Sequence, residues 1–171
     1  MGKKEGTSKE IAWSGVLLAL SLCTLYVASI VPGAELTLYA LSSIYSAILI
    51  IETREKNGWL FFSASLVLSL MLIPNVVAVL PYALFFGPYG PMKHRIESLK
   101  KPGVEILFKL IFFNAMMGAG FLIFGELLWS NLGLPSAPFI LLVIGAQVFL
   151  LLYDKIFTLC IDYYLRRLRK W

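Results

Sequence analysis

Basic residues occur in clusters between the apolar stretches of this chain, and this distribution constrains the fold more than any other feature. The basic clusters are Lys3/Lys4/Lys9, Arg54/Lys56, Lys93/Arg95/Lys100/Lys101 and Arg166/Arg167/Arg169/Lys170. The connections that alternate with them, 32–35, 74–75 and 127–137, contain no Lys or Arg. Because the cytoplasmic connections of membrane proteins carry the excess of basic residues, this alternation predicts an even number of transmembrane segments with both termini in the cytoplasm.

The composition supports a membrane protein and excludes several other classes. Of the 171 residues, 59% are hydrophobic and 15% are charged, whereas soluble domains have about 45–50% apolar and about 25% charged residues. The net charge of +5 comes from bases that flank apolar stretches, so we expect anionic lipid headgroups as partners and no nucleic acid. Cys23 and Cys160 form no CxxC motif and His94 is the only histidine, which predicts no metal site, disulfide framework or cofactor.

Six apolar stretches are predicted to form a compact bundle of transmembrane helices in a single domain, residues 1–171. Helices are preferred to strands because the stretches lack a two-residue alternation of polarity, and because a lone chain must satisfy its backbone hydrogen bonds inside the bilayer. The predicted bounds are 11–31, 36–51, 58–74, 76–88, 104–126 and 138–160.

The third and fourth stretches are separated only by Pro74 and Asn75. One long kinked helix over 58–88 would place the cluster Lys93–Lys101 outside the cell, against the charge bias. We therefore predict a hairpin that turns at Pro74-Asn75, and we expect its second arm to be short, tilted or partly re-entrant.

The segment after the fourth stretch contains two Gly-Pro pairs, at 87–88 and 90–91, which predict a sharp end to that helix. Pro91 suits the first turn of a new helix. From Met92 onward, apolar residues recur at i, i+4 and i+7 among basic ones, which predicts a short amphipathic helix in the inner membrane interface. This helix would contact acidic lipid or a partner protein through a basic patch. The patch consists of Lys93, Arg95, Lys100 and Lys101.

Polar side chains within the apolar stretches are costly in a bilayer, so each needs a partner or a role. The second stretch carries Tyr39, Ser42, Ser43 and Ser46 on one helical face. This stripe is interpreted either as helix packing by hydroxyl groups or as one wall of a ligand cavity. Glu35 and Glu126, assigned to the outer side, are either binding groups for a cation or an amine, or ordinary solvated loop residues.

Asn114 and Gln147 lie near the middle of the fifth and sixth stretches. They are interpreted either as an interhelical amide pair or as contacts to a ligand. The ligand hypothesis places an outward-facing apolar cavity between stretches two, five and six. Its candidate ligand-binding residues are Tyr39, Asn75, Asn114, Glu126 and Gln147. The sequence contains no nucleophile–base arrangement, so no catalytic residue is assigned and a membrane enzyme is only the third interpretation.

Two local motifs carry a resemblance to a known family. Gly15, Ala19 and Cys23 are small residues at four-residue spacing, and Gly87-Pro88-Tyr89-Gly90 is one residue short of a Gly-Pro-x-x-Gly motif. With six short helices in about 170 residues, the chain resembles the S components of energy-coupling-factor vitamin transporters. In that family an apolar helix follows the motif, whereas Lys93-His94-Arg95 follows it here.

The resemblance implies a subunit of the bacterial plasma membrane that binds a small, vitamin-like molecule from the outer face. It further implies a coupling membrane subunit, contacted by Gly15, Ala19 and Cys23, and associated ATPases. The alternative is a non-transporting scaffold of a bacterial envelope complex, similar to the small membrane subunit of rod-shape complexes. A cavity in the outer half of the bundle would favour the first function, and a close-packed bundle the second.

Overall fold

The computed structural model of the chain describes residues 2–99, 101–132 and 139–168, which form helices and no strands. Four helices in these ranges are long and apolar enough to cross a membrane. They are Glu10–Ile30, Glu35–Glu52, Gly103–Gly120 and Ile144–Arg167. This supports the prediction of an all-helical membrane protein, while six transmembrane segments and cytoplasmic termini stay predictions.

The helices form two units, Met1–Ser98 and Leu99–Trp171, and a single bundle over the whole chain stays a prediction. The first unit contains α1 (Gly2–Ile30), α2 (Glu35–Glu52), α3 (Glu55–Leu72), α4 (Val76–Pro81), a π-helical turn (Tyr82–Phe86) and α5 (Gly87–Glu97). The second unit contains α6 (Pro102–Leu132), α7 (Phe139–Tyr163) and a π-helical turn (Tyr164–Leu168).

Short connections make the first three helices neighbours in space. Between α1 and α2 the chain turns at Gly33, whose φ of 90° lies in the left-handed region that glycine adopts without strain. Between α2 and α3 only Thr53 and Arg54 intervene, and the Thr53 hydroxyl donates to the Leu49 carbonyl at 2.6 Å. An apolar core of Leu17, Leu49 and Phe61 therefore forms where the three helices meet.

The chain breaks between α3 and α4 where the sequence predicted the hairpin turn. The last residue of α3 is Leu72, and α4 begins at Val76. Asn75 is the N-cap of α4, since its side-chain oxygen accepts a hydrogen bond from the Val77 N–H at 3.1 Å. Such a cap satisfies one of the N–H groups that the first turn of a helix leaves without a partner.

The segment after α4 differs from the prediction. Instead of ending at the Gly-Pro pairs, the backbone stays helical from Val76 to Glu97, a length of roughly 33 Å. Pro88, Tyr89 and Gly90 are buried, and α5 packs against α2 and α3. The prediction of a separate helix that starts at Pro91 is therefore wrong, while its place in the inner membrane interface stays a prediction.

The physical reason lies in how this helix accommodates proline. The N–H of Gly87 bonds to the Tyr82 carbonyl five residues back, which forms the π turn directly before Pro88. Proline has no N–H to donate and disturbs the preceding turn, but membrane helices tolerate it where local π adjustments and neighbouring groups satisfy the freed carbonyls. Gly90 meanwhile allows close approach to α2, because a Cβ there would overlap Ser46 Oγ and lie 3.2 Å from the Ser43 carbonyl oxygen.

Two contacts bring ends of three helices together at one end of the first unit. The Asn57 amide donates to the Glu10 carboxylate at 3.5 Å, and Arg95 Nε lies 3.6 Å from a Glu55 carboxylate oxygen. The N-terminal ends of the span Glu10–Ile30 and of α3 therefore lie together, with the C-terminal end of α5 beside α3. The common membrane side that the charges predict for the basic clusters stays a prediction.

Candidate functional site

The interior of the first unit contains a cluster of four hydroxyl groups, here called the hydroxyl cluster. Ser21 of α1, Ser42 of α2, Ser65 of α3 and Tyr82 of the π turn are each 0% exposed. Ser21 Oγ lies 2.6 Å from Ser42 Oγ, and Ser65 Oγ lies 2.5 Å from the Tyr82 hydroxyl. The Tyr82 hydroxyl also interacts with Ser21 and Ser42, so one network joins four helical segments.

The hydroxyl cluster is suited to helix packing and not to catalysis. Each hydroxyl can both donate and accept a hydrogen bond, so the four groups satisfy one another in an apolar interior where a lone hydroxyl would be costly. The cluster contains no carboxylate, imidazole or amine that could activate a serine as a nucleophile. Ser43, Ser46 and Ser69 instead donate to carbonyls of their own helices, at 2.7, 2.7 and 2.9 Å. The geometry favours helix packing for the serine stripe.

We expect Tyr82→Phe to lower the free energy of unfolding by about 1 kcal/mol, because it removes the buried hydrogen bond to Ser65, whose hydroxyl then keeps only its bond to the Phe62 carbonyl. The measurement is reversible unfolding of the purified chain in mixed micelles. Tyr26→Phe is the matched control, since Tyr26 is 49% exposed and its substitution should change stability by less than about 0.5 kcal/mol. Equal effects of the two substitutions would contradict the proposed role of the cluster.

Two of the predicted ligand-binding residues have structural partners in the first unit. The Tyr39 hydroxyl donates to the Ala78 carbonyl, and the Tyr39 ring lies 5.7 Å from that of Phe86. The N–H of Tyr82 donates to the Val79 carbonyl, three residues back, and not to the Ala78 carbonyl, four residues back. Tyr39 therefore donates to a backbone carbonyl in the last turn before the π turn. Asn75 is exposed and caps α4.

In the second unit, Asn114 and Gln147 form the interhelical amide pair that was one of the two interpretations of these residues. Gln147 Nε2 donates to Asn114 Oδ1 at 2.8 Å, and Asn114 Nδ2 donates to the Leu110 carbonyl at 2.8 Å. Among the described residues, Gln147 Oε1 is buried and accepts no hydrogen bond. The Glu126 side chain lies outside the described part of the chain. A cavity shared by stretches two, five and six would involve both units and stays a prediction.

A second polar contact in this unit was missed by the sequence analysis. Lys109 Nζ donates to both carboxylate oxygens of Asp154 at 2.9 Å, and Lys109 is 8% exposed. Thr158 donates to the Asp154 carbonyl at 2.8 Å. The sequence does contain a signal for this pair, because Lys109 and Asp154 are opposite charges inside two apolar stretches that follow one another in the chain. Lys109 is buried and Asp154 is partly buried, so this ion pair joins α6 to α7 and offsets the cost of a charge among apolar side chains.

The predicted basic patch is not continuous. Lys93 is 4% exposed and forms an ion pair with Glu97 one helical turn away, so it was wrong to place it on the surface. Arg95 is exposed beside Glu55, and Lys101 is exposed, while Lys100 lies outside the described residues. Burial of Lys93 follows from the continuation of the helix through Gly90, which brings α5 between α2 and α3.

The small residues of α1 lie at the surface of the first unit. Gly15, Ala19 and Cys23 are all exposed, and a Cβ added to Gly15 would meet no described residue within 4 Å. Here we call these three residues the small-residue face. Other elements of the unit therefore leave this surface open.

A groove of about 530 Å³ lies beside this face, between α1 and α3. We call it the α1–α3 groove. Its floor includes the buried side chains of Leu49 and Phe61. Its walls include Glu10, Ser14, Gly15, Leu18, Asn57 and Leu60.

Neither metal ligation nor similarity to a known protein assigns a function. The described residues contain no group of three or more His, Cys, Asp or Glu side chains that could hold a metal ion. No protein-family model, curated protein or solved structure matches this chain. Function must therefore be inferred from the packing and the exposed surfaces.

Proposed function

We propose that this protein is a non-catalytic membrane subunit that holds another membrane protein against the small-residue face of α1. The observation that carries this proposal is the exposure of Gly15, Ala19 and Cys23 on a helix that is long and apolar enough to cross a membrane. Small residues let two helices approach closely, and in lipid such packing drives helix association because hydrophobic burial no longer does.

The packing of polar side chains inside the first unit favours a scaffold function over a transport function. Tyr39, which was a candidate ligand contact, donates its hydroxyl to Ala78. The four groups of the hydroxyl cluster are bonded to one another. These side chains are therefore engaged in packing, as expected of a subunit whose work is done at its surface.

Uptake of a small molecule, as in the S components, is the second proposal. It is favoured by Gln147 Oε1, a buried acceptor to which no described residue donates, because a ligand with an N–H or O–H group would satisfy it. Mass spectrometry of small molecules that copurify with the chain is the test. A stoichiometric metabolite that is lost in Gln147→Leu would favour uptake. If no such metabolite is found, the scaffold proposal is favoured.

We expect Ala19→Leu to abolish association with the partner protein while leaving membrane insertion intact, because a leucine there blocks close helix approach. The measurement is quantitative copurification from native membranes in mild detergent. Ser63→Leu is the matched control, since Ser63 is an exposed small residue on α3 and lies outside the small-residue face. Copurification that survives Ala19→Leu and Gly15→Leu unchanged would remove the proposal.

A further inference from the structure

The α1–α3 groove has a polar end and an apolar length. Glu10, Ser14 and Asn57 lie at one end, and Gly15, Leu18 and Leu60 continue it along the two helices. The polar end coincides with the start of the span Glu10–Ile30, which places it at the level of the lipid headgroups if α1 crosses the bilayer.

The length of the groove fits a lipid better than a helix of another protein. From Glu10 to Leu18 the groove follows α1 for about 12 Å. This is less than half of the ~30 Å hydrocarbon core, so the groove covers one leaflet only. A transmembrane helix would need a surface along the whole span, whereas an acyl chain occupies a single leaflet. The volume of about 530 Å³ lies in the range of small-molecule sites, about 300–1,000 Å³.

The charges at the polar end indicate the headgroup. In the described part of the chain, the half-buried Glu10 carboxylate receives one long hydrogen bond, from Asn57 at 3.5 Å. It can therefore accept further bonds from an ammonium group. Arg54 and Lys56, which flank the start of α3, are exposed at the same end and suit a phosphate.

We propose that the α1–α3 groove binds one phospholipid whose zwitterionic headgroup carries a primary ammonium. The ammonium contacts Glu10, the phosphate lies toward Arg54 and Lys56, and an acyl chain occupies the groove between α1 and α3. This site goes beyond the proposed function. The two surfaces share Gly15, but Ala19 and Cys23 do not line the groove, so Ala19→Leu should abolish partner binding while lipid binding persists.

The test is native mass spectrometry of the full chain after exchange into an equal mixture of three phospholipids with identical acyl chains. The headgroups are ethanolamine, choline and glycerol. We expect one ethanolamine lipid to be retained at least about fivefold over each competitor, which corresponds to roughly 1 kcal/mol. Glu10→Gln, which preserves side-chain size, should abolish this preference.

Two further variants locate the lipid. Ala64 lines the groove, so Ala64→Phe should fill it and remove retention of every headgroup, whereas Ser63→Phe, on the exposed face of the same helix, should not. Equal retention of the three lipids, or an unchanged preference in Glu10→Gln, would overturn the proposal even if Ala64→Phe fails to fold. Photo-crosslinking from Leu60, an exposed groove residue, to a second copy or another protein instead of lipid would also overturn it.

Discussion

Substitution of Asp154 by Asn is expected to lower the free energy of unfolding by about 3 kcal/mol, the lower end of the range for breaking a buried ion pair. The reason is that Lys109, which is 8% exposed, would keep its charge in an apolar environment after losing the carboxylate that contacts it at 2.9 Å. In thermal unfolding in detergent, this loss should lower the Tm by roughly 10 °C.

The control for this experiment is Asp162→Asn, since Asp162 is an exposed carboxylate on the same helix α7. It should leave the Tm within a degree or two, because exposed substitutions usually change stability by less than about 0.5 kcal/mol. Replacing both partners in Lys109→Met/Asp154→Leu should restore most of the stability, because no charge is then left buried. Additive losses in the double variant would contradict the pairing.

Gly90→Ala is expected to destabilise the first unit by about 1–3 kcal/mol, the usual cost of overpacking. The new methyl group would overlap Ser46 Oγ, lie 3.2 Å from the Ser43 carbonyl oxygen and lie 3.5 Å from the Ala47 nitrogen. The Ser46 hydroxyl would have to rotate away, and because the Ser43 carbonyl oxygen is a backbone atom, α5 and α2 would have to move apart by a few tenths of an ångström. Unfolding in mixed micelles measures the loss.

Gly118→Ala is the matched control, because Gly118 is also a helical glycine but a Cβ there would meet nothing within 4 Å in the described part of the chain. Alanine is favoured over glycine in a helix by up to about 1 kcal/mol, so this variant should be as stable as the wild type or more stable. Ser46→Ala should relieve part of the Gly90→Ala cost by removing the hydroxyl. If Gly90→Ala behaves like Gly118→Ala, the close contact of α5 with α2 does not exist.

The sequence predicted the elements whose causes are local. The break between α3 and α4 follows from Pro74 and Asn75, and the structure has it at these residues with Asn75 as the cap. The approximate helix positions follow from apolar length, since a stretch of about 20 residues spans the bilayer. The interhelical pair of Asn114 and Gln147 was one of two interpretations, because two amides in apolar stretches need partners.

The remaining features depend on contacts that no local pattern encodes. Gly87 and Pro88 were interpreted by rules for turns in water, but here a π turn and the packing of Gly90 on α2 continue the helix. The sequence predicted the serine stripe of α2 but not the whole hydroxyl cluster, because Tyr82 contacts serines of three different helices and only the packing of these helices brings them together. The pair of Lys109 and Asp154 joins positions 45 residues apart, and only the docking of α6 and α7 brings these two charges together.

Photo-crosslinking from position 26 in intact cells tests whether the small-residue face of α1 holds another membrane protein. A photoreactive aromatic residue replaces Tyr26, which is exposed, follows Cys23 by about one turn of α1 and is already large, so the close approach at Ala19 is kept. Position 63 on α3, which is also exposed, carries the same residue in the control. We predict one protein adduct of constant mass from position 26, lost when Ala19→Leu is added, and none of that mass from position 63. Lipid adducts alone from position 26, or the same protein adduct from both positions, would contradict the proposed function.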